Sequence, residues 1–326
     1  MFNLKNIRSD FPILAKTRNN KPFIYFDNAA TTQKPQVVID KICDFYSNYN
    51  SNIQRGMYFL ADKATSEYEK SREIISKFLN SNLKEEIIFT SGTTQSVNMV
   101  AFGYLKKLVS KGDEVLVGEM EHHANIVPWQ VIASKLELKI IPIKCCENGK
   151  IKLDDLIKKI NPKVKLLAIQ HISNITGHEN NIKKICSIAH KKNVRVFVDG
   201  AQAASHKNIN LQDLNCDFYS FSGHKCFGPT GVGVLFGKKE LLLEMDPVFF
   251  GGNMINRVSF SESSWGKLPH KFEAGTSNIA GVIGLGASIK YLLSLGFSEI
   301  QKKEELLIEK IWTGLCSNEN IIIQSS

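Results

Sequence analysis

Four short groups of polar residues in this sequence could bind and activate a small molecule. Residues 90–94 (TSGTT) follow an apolar run and precede a segment of helical period, so their backbone N–H groups could hold a phosphate. In residues 198–202 (VDGAQ), Asp199 follows an apolar run, where its carboxylate could pair with a cationic nitrogen of a ligand. At both positions the alternative is a plain helix N-cap, formed by the threonine or by the aspartate.

The other two groups carry a lysine and a histidine. Residues 220–225 (SFSGHK) end a candidate strand in a turn, where Lys225 could be desolvated and act as an amine nucleophile. In residues 121–125 (EHHAN), His122 could stack on a planar ligand or transfer a proton. The alternatives are a surface lysine and a structural histidine. Together the four groups supply what pyridoxal 5'-phosphate (PLP) needs: a phosphate site, a carboxylate for its pyridine nitrogen and a lysine for its aldehyde.

Apolar runs that alternate with segments of helical period predict the elements that position these groups. The predicted strands are Glu86–Thr90, Glu114–Val117, Lys139–Ile143, Leu166–His171, Arg195–Asp199, Phe218–Ser222 and Gly233–Gly237. Helical segments between them include Thr93–Val109, Leu153–Ile160 and Ile182–Lys191. This alternation predicts an α/β fold with a mainly parallel sheet covered on both faces, so that the four groups lie at the carboxyl ends of strands. A Gly/Pro-rich stretch separates the last two strands, which could therefore be antiparallel.

After residue 240, patterns typical of strands and helices no longer alternate. Residues 250–253 and 261–275 predict a long ordered loop. Helical period returns after Ile279 and continues through residues 285–293 and 299–315. A β-like run, Ile321–Gln324, comes last. Because a lone strand leaves unpaired edge groups, we expect the chain to be cut short inside a second domain. The predicted domains are an N-terminal arm (1–20), a PLP-binding large domain (21–285) and the start of an incomplete small domain (286–326).

Composition argues against several other classes of protein. The formal net charge is +9, but the lysines are spread along the chain and no basic block is interleaved with aromatic residues, so nucleic-acid binding is not expected. The seven cysteines form no C-x-x-C pair and the histidines have no zinc spacing, so neither disulfides nor a metal site are expected. No apolar run reaches the roughly 18 residues of a membrane helix, and charges interrupt the N-terminus. We therefore expect a cytoplasmic protein.

Five motifs closely resemble those of cysteine desulfurases of the SufS type, which are class V, fold-type I PLP enzymes. They are Asp27–Thr32 (DNAATT), Met120–Trp129 (MEHHANIVPW), Val198–Ala203 (VDGAQA), Asp217–Gly231 (DFYSFSGHKCFGPTG) and Phe272–Thr276 (FEAGT). The resemblance extends from about residue 8 to the final residues. It implies a homodimeric sulfurtransferase that takes sulfur from L-cysteine, releases L-alanine and serves iron–sulfur cluster assembly through a SufE- or SufU-like acceptor.

The same resemblance implies roles for individual residues. Lys225 would form the Schiff base with PLP and shuttle a proton, and His122 would stack over the ring as an acid–base group. Asp199 would pair with the pyridine nitrogen, and Gln202 would bind the ring hydroxyl. The remaining matches concern phosphate and substrate: Thr93, Thr94, Ser222 and His224 at the phosphate, Thr276 at the phosphate of the other subunit, and Asn174 in the substrate pocket.

Two departures from the family pattern affect the expected activity. Gln54 stands where the SufS type usually has a histidine. The family's catalytic cysteine lies in a C-terminal loop, Arg-x-Gly-x-x-Cys, followed by an arginine that binds the substrate carboxylate, and nothing after Thr276 matches either element. Neither Cys226 nor Cys316 has that context. We therefore expect PLP binding with weak sulfur transfer. The alternatives are a selenocysteine lyase acting on L-selenocysteine, another class V lyase, or an inactive PLP-binding remnant.

Overall fold

The seven strands of the central sheet lie where the apolar runs predict them. The computed structural model describes residues 3–321 and 323. Its strands are β1 (Thr17–Arg18), β2 (Lys21–Pro22), β3 (Ile87–Thr90), β4 (Glu114–Gly118), β5 (Lys139–Ile143), β6 (Val164–Gln170), β7 (Arg195–Asp199), β8 (Phe218–Ser222), β9 (Gly233–Gly237), β10 (Ile255–Val258) and β11 (Ser263–Trp265). Four of the seven predicted strands have the predicted bounds, and the other three differ by one or two residues.

A seven-stranded sheet in the order β3-β9-β8-β7-β6-β4-β5 forms the centre of the molecule. Strands β8, β7, β6, β4 and β5 are parallel, and β9 runs antiparallel to both of its neighbours, β8 and β3. The antiparallel pairing of the last two predicted strands is thereby confirmed. Because all strands but β9 point the same way, the segments that follow them emerge at one edge of the sheet.

Helices connect the strands and cover both faces of the sheet. They are α1 (Leu4–Ser9), α2 (Gln36–Asn48), α3 (Phe59–Leu79), α4 (Thr93–Met99), α5 (Lys106–Leu108), α6 (Val127–Leu136), α7 (Leu153–Lys159), α8 (Ile182–His190), α9 (Ala203–His206), α10 (Leu211–Leu214), α11 (Lys239–Glu244), α12 (Ile279–Leu295) and α13 (Phe297–Cys316). A π-helical stretch, Val100–Leu105, links α4 to α5, so the predicted helix Thr93–Val109 is nearly continuous.

Two apolar clusters, one on each face, hold the sheet. Alternate residues of a strand enter different clusters: Ile87 and Phe89 pack on the face covered by α2, α3, α8 and α12, whereas Ile88 packs with α4, α6 and α11. Burial on both faces explains why the strands read as nearly continuous apolar runs. The predicted α/β architecture with a mainly parallel, doubly covered sheet is confirmed.

After residue 240 the structure differs from the prediction at one hairpin. The segment expected to be a long loop contains the exposed hairpin β10–β11, which is too short and too polar to give a periodic signal. Helix α12 begins at Ile279, where the sequence predicts it, and the Asn278 side chain caps it by accepting a hydrogen bond from Gly281 N–H (2.9 Å). This helix packs against α2 and α3 and crosses the predicted 285/286 domain boundary, which stays a prediction. The β-like run Ile321–Gln324 lies partly outside the described residues.

Among the described helices, one bent pair has the combined length and composition of a membrane span. Within residues 3–321 and 323, no single helix has the length and hydropathy to cross a bilayer. Helices α12 and α13 meet those criteria only when taken together, across a bend of 72°. Most of α12 is buried in the protein core.

Candidate active site

A cavity of about 530 Å³ opens at the edge where β3, β4, β6, β7 and β8 end. Its lining includes nine of the ten residues predicted from the sequence: Thr93, Thr94, His122, Asn174, Asp199, Gln202, Ser222, His224 and Lys225. These residues come from five different strand ends and are brought together only by the sheet. The common edge predicted for the four polar groups is therefore confirmed, while their individual roles stay predictions.

One end of the cavity is lined by hydroxyl and backbone donors. Ser222 Oγ accepts a hydrogen bond from Thr93 N–H (2.9 Å) and lies 3.1 Å from Thr93 Oγ1. Gly92 precedes the helix with φ 151°, and a Cβ atom there would lie 3.1 Å from Ser222 Oγ. This positive φ favours glycine, and the tight contact adds to the preference. Donors at the start of a helix form a suitable site for a phosphate.

Asp199 lies at the end of β7, where the residue is 5% exposed. Its Oδ1 accepts a hydrogen bond from Ala201 N–H (2.9 Å). Burial raises the pKa of Asp199, while the backbone hydrogen bond and the charges of Lys225 and His122 act in the opposite direction. A buried carboxylate that faces the cavity is well placed to pair with a cationic ring nitrogen.

Lys225 ends the 3-10 turn Gly223–Lys225 that follows β8. Burial lowers the pKa of the Lys225 ammonium, and the Asp199 carboxylate opposes this shift only in part. A lowered pKa increases the neutral fraction of the amine, which is the form that attacks a carbonyl carbon. The turn thus presents an activated amine toward the same cavity as the buried carboxylate.

His122 caps the 3-10 turn His123–Asn125 and remains exposed on the cavity side. Its Nδ1 accepts a hydrogen bond from Ala124 N–H (3.1 Å), so the proton of the neutral ring lies on Nε2. Behind the turn, the buried Glu121 accepts a hydrogen bond from Asn125 Nδ2 (2.7 Å). The imidazole is therefore held at Nδ1, and its Nε2 can contact a ligand in the cavity.

Asn174 and Gln202 also line the cavity. Asn174 Oδ1 is buried, and within residues 3–321 and 323 it has no hydrogen-bond partner. A buried amide oxygen without a partner is costly, which indicates that a ligand donor completes it. Gln202 Nε2 donates to the Ala29 carbonyl (2.9 Å). Hydroxyls for a phosphate, a carboxylate for a ring nitrogen, an amine for an aldehyde and an unpaired amide oxygen together fit PLP with an amino-acid substrate.

Thr276 is the predicted residue that this chain does not bring to the cavity. It is exposed, beyond the buried Phe272 and Glu273. The resemblance assigns it to the phosphate of a second subunit, and that assignment stays a prediction. Gln54, which stands where SufS-type sequences usually have a histidine, adopts a left-handed conformation (φ 73°). Its Nε2 lies 2.9 Å from His270 Nδ1.

Several lining residues were not assigned a role from the sequence. They are Asp27, Ala29, Ala30, Ala124, Gln170, Ile172 and Ala201. Gln170 ends β6 beside Asp199 of β7, and its Nε2 donates to the Met120 carbonyl (2.7 Å). Gln170 could have been identified from the sequence, because it is a polar residue at the end of an apolar run. Ala29 and Ala30 belong to the motif Asp27–Thr32, but their side chains have no reactive group.

The cysteines lie away from this cavity. Within the described chain, none of the seven lines it. Cys226 follows the lysine but is fully buried, and burial raises the pKa of its thiol to about 12. Cys43, Cys146 and Cys316 are exposed elsewhere on the surface. Among residues 3–321 and 323, no cluster of three or more histidine, cysteine or acidic side chains could hold a metal ion.

Comparison with known families defines the class of protein to which this fold and cavity belong. The family model for class V aminotransferases matches residues 24–326, so the chain belongs to that family. A probable cysteine desulfurase of Halalkalibacterium halodurans is 47% identical over 307 residues, which are 94% of this chain and 76% of the relative. Within class V, the chain is therefore a member of the cysteine desulfurase group.

Solved structures agree with this assignment. The apo structure of a cysteine desulfurase from Thermococcus onnurineus NA1 superposes with a TM-score of 0.92 at 37% identity, covering 97% of this chain and 77% of that one. A variant of the enzyme C-DES with glycine covalently linked to its PLP cofactor superposes with a TM-score of 0.82 at 25% identity, covering 94% and 80%. The architecture is that of the fold-type I PLP-dependent transferases.

Proposed function

We propose that this chain is a PLP-dependent cysteine desulfurase of the SufS type. The observation that carries the proposal is the meeting of Lys225 and Asp199 in one cavity that ends in hydroxyl donors. In this assignment Thr93, Thr94, Ser222 and His224 would hold the phosphate. His122 would stack on the ring, Asp199 would pair with its nitrogen, and Gln202 would bind the ring hydroxyl. Names of close relatives supply the substrate class, L-cysteine.

The protein's own residues bind the cofactor and move protons. When bound, PLP supplies an electron sink that stabilises negative charge at the substrate α-carbon. Asp199 would favour the protonated ring nitrogen, because a buried carboxylate is stabilised by a positive partner. The Lys225 amine, whose pKa is lowered, accepts the α-proton at Nζ and returns it later. His122 Nε2 is the second group that can hold a proton on the cavity side.

The overall reaction transfers one sulfur atom. L-cysteine and a thiol R–SH give L-alanine and a persulfide R–S–SH, so that the substrate C–S bond breaks as the S–S bond forms. The attacking thiol must ionise and reach the cavity. A SufE- or SufU-like protein is the proposed final acceptor, with iron–sulfur cluster assembly as the pathway served.

Further features of the family extend the proposal. Asn174, with its unpaired buried Oδ1, is the proposed substrate contact. Thr276 is proposed to reach the phosphate of a second subunit in a homodimer. L-selenocysteine is the alternative substrate, and the cytoplasm is the proposed location.

Two measurements test this function. Borohydride treatment of the PLP-loaded protein, followed by peptide mass analysis, should place the cofactor mass on Lys225 and should do so no longer in Lys225→Ala. With L-cysteine and dithiothreitol, alanine and sulfide should appear in equal amounts. Lys111→Ala, which removes a lysine that is 75% exposed, serves as the control. Absence of cofactor mass at Lys225 would refute the proposal, and activity toward L-selenocysteine alone would favour the alternative lyase.

A half-reaction separates cofactor chemistry from sulfur transfer. L-alanine has no sulfur to lose, so exchange of its α-proton in deuterium oxide requires only the cofactor and the proton-transfer groups. Loss of the alanine α-proton signal in NMR spectra should depend on Lys225. Exchange without sulfide release would confirm the PLP part of the proposal and refute desulfuration by the chain.

A further inference from the structure

The carbonyl oxygen of His224 collects an unusual number of hydrogen-bond donors. Thr32 N–H (3.0 Å), Thr32 Oγ1 (2.9 Å), Thr31 Oγ1 (3.2 Å) and Lys34 Nζ (3.0 Å) all lie within hydrogen-bond distance of it. A carbonyl oxygen has two lone pairs, so four donors saturate it. This oxygen belongs to the peptide bond between His224 and Lys225, so a segment near the N-terminus holds the backbone of the reactive turn.

Lys34 is the one charged donor in this set. Its half-buried ammonium contacts two carbonyl oxygens, those of Thr32 (2.5 Å) and His224 (3.0 Å). Burial lowers the pKa of Lys34 to about 8, and the nearby Cys226 opposes the shift. Hydrogen bonds from a charged donor are stronger than those from neutral donors, so Lys34 is expected to contribute more than either threonine.

The same segment holds the turn on its other side. Thr32 is buried, and its Oγ1 also accepts a hydrogen bond from Phe227 N–H (2.9 Å). Thr31 Oγ1 lies 3.1 Å from His224 Nδ1. The backbone of the turn is thus held at residues 224 and 227, on either side of Lys225, while the His224 ring is held at Nδ1.

We propose that Lys34 is a positioning residue, which holds the His224 carbonyl and thereby aims the side chains of Lys225 and His224 into the cavity. The 224–225 peptide plane contains N and Cα of Lys225, so its orientation sets the point from which the Lys225 side chain leaves the backbone. The proposal rests on the proposed function, because it assumes that PLP links to Lys225. Lys34 itself does not line the cavity.

The test compares Lys34→Met with Lys34→Arg in the full chain. Methionine keeps the length of the side chain without its charge or donors, whereas arginine keeps both. Lys111→Met removes the same charge from the surface and serves as the control. The readouts are the rate at which PLP links to Lys225, measured by borohydride trapping and peptide mass, and the rate of alanine α-proton exchange.

We expect Lys34→Met to slow the linkage of PLP to Lys225 by roughly 10- to 100-fold, because a small displacement of a reacting group reduces a rate by about that factor. Lys34→Arg should recover the rate to within a few-fold of wild type, and Lys111→Met should equal wild type. Melting curves taken alongside verify that each variant is folded at the assay temperature. If Lys34→Met does not fold, Lys34→Gln, which keeps a donor without the charge, should give an intermediate rate.

Distinct outcomes separate this proposal from the proposed function. If the wild-type chain never links PLP at Lys225, the proposed function fails and this proposal fails with it. If wild type links PLP and Lys34→Met links it equally fast, the role of Lys34 alone is refuted. Equal losses in Lys34→Met and Lys34→Arg would also refute it, because the charged donor would then not be the cause.

Discussion

Arg72 and Glu273 form a buried, two-pronged ion pair, with distances of 2.8 Å (Nη1–Oε1) and 2.9 Å (Nη2–Oε2). Glu273 Oε1 also accepts a hydrogen bond from Phe89 N–H (2.8 Å), and Tyr68 OH donates to Oε2 (3.2 Å). The pair joins α3, β3 and the segment that leads to Thr276. This segment is thus attached to the edge of the sheet by charge as well as by apolar contacts.

Removing the cation of this pair should destabilise the fold strongly. In Arg72→Met the Glu273 carboxylate remains buried without its charged partner, and we expect the free energy of unfolding to fall by about 3–5 kcal/mol. Urea denaturation monitored by circular dichroism measures this. The control is Lys84→Met, which breaks an exposed ion pair to Glu73 (3.3 Å) and should cost at most about 1 kcal/mol. Similar losses in the two variants would contradict the prediction.

The same pair predicts a dependence of stability on acid. Burial alone would raise the pKa of Glu273, but the Arg72 guanidinium outweighs it and the pKa falls to about 2, from the ordinary 4.5. A depressed pKa stabilises the fold fully above pH 4.5, and this stabilisation is lost as the pH falls toward 2. The difference in unfolding free energy between wild type and Glu273→Gln should therefore shrink over that range. A difference that stays constant would contradict the assignment.

Ser222→Ala should weaken PLP binding through the phosphate alone. The variant removes the hydroxyl that pairs with Thr93, and losing a hydrogen bond to a charged group costs about 1.5–3 kcal/mol, or roughly 10- to 100-fold in Kd. Fluorescence titration with PLP measures the change. Pyridoxal lacks the phosphate, so its affinity should hardly change. Ser91→Ala, at an exposed position nearby, is the control. Equal effects on PLP and pyridoxal would show that Ser222 does not contact the phosphate.

The rate at which an aldehyde links to Lys225 should increase with pH. Only the neutral amine attacks, so the rate of pyridoxal linkage should rise with pH and reach half its maximum below 10.5, the ordinary value for lysine. The Asp199 carboxylate favours the ammonium form and so raises the pKa of Lys225. Asp199→Asn should therefore move the midpoint to lower pH. A midpoint at or above 10.5, or a shift upward in the variant, would contradict this account.

Gly200→Ala should show why a glycine follows Asp199. A Cβ atom at this position would clash with the ring and the hydroxyl of Tyr219, which is fully buried. Overpacking of this kind costs about 1–3 kcal/mol. Urea denaturation should show this loss, and a smaller loss when Gly200→Ala is made in a Tyr219→Ala background, where the ring is gone. Additive losses would mean that the two residues do not clash.

The elements of the sheet could be predicted because their signal is local. Strands β5, β7, β8 and β9 have the predicted bounds, since each is a short apolar run between turn-forming residues. Helices α2 and α3 lie before residue 85, where no elements were assigned. Hairpin β10–β11 was missed because exposed polar strands of three or four residues carry no periodicity.

By itself, the sequence determined the fold class and, through its motifs, the family. Nine of the ten side chains predicted from the sequence and its family resemblance line one cavity, because a parallel sheet brings the carboxyl ends of its strands to one edge. Only the tertiary structure decided which atoms meet there. The bond between Thr93 and Ser222, the Arg72–Glu273 pair and the contact of Lys34 with the His224 carbonyl join residues far apart in the chain. Spacing along a chain carries no information on such contacts, since their geometry depends on strand order and on packing around each side chain.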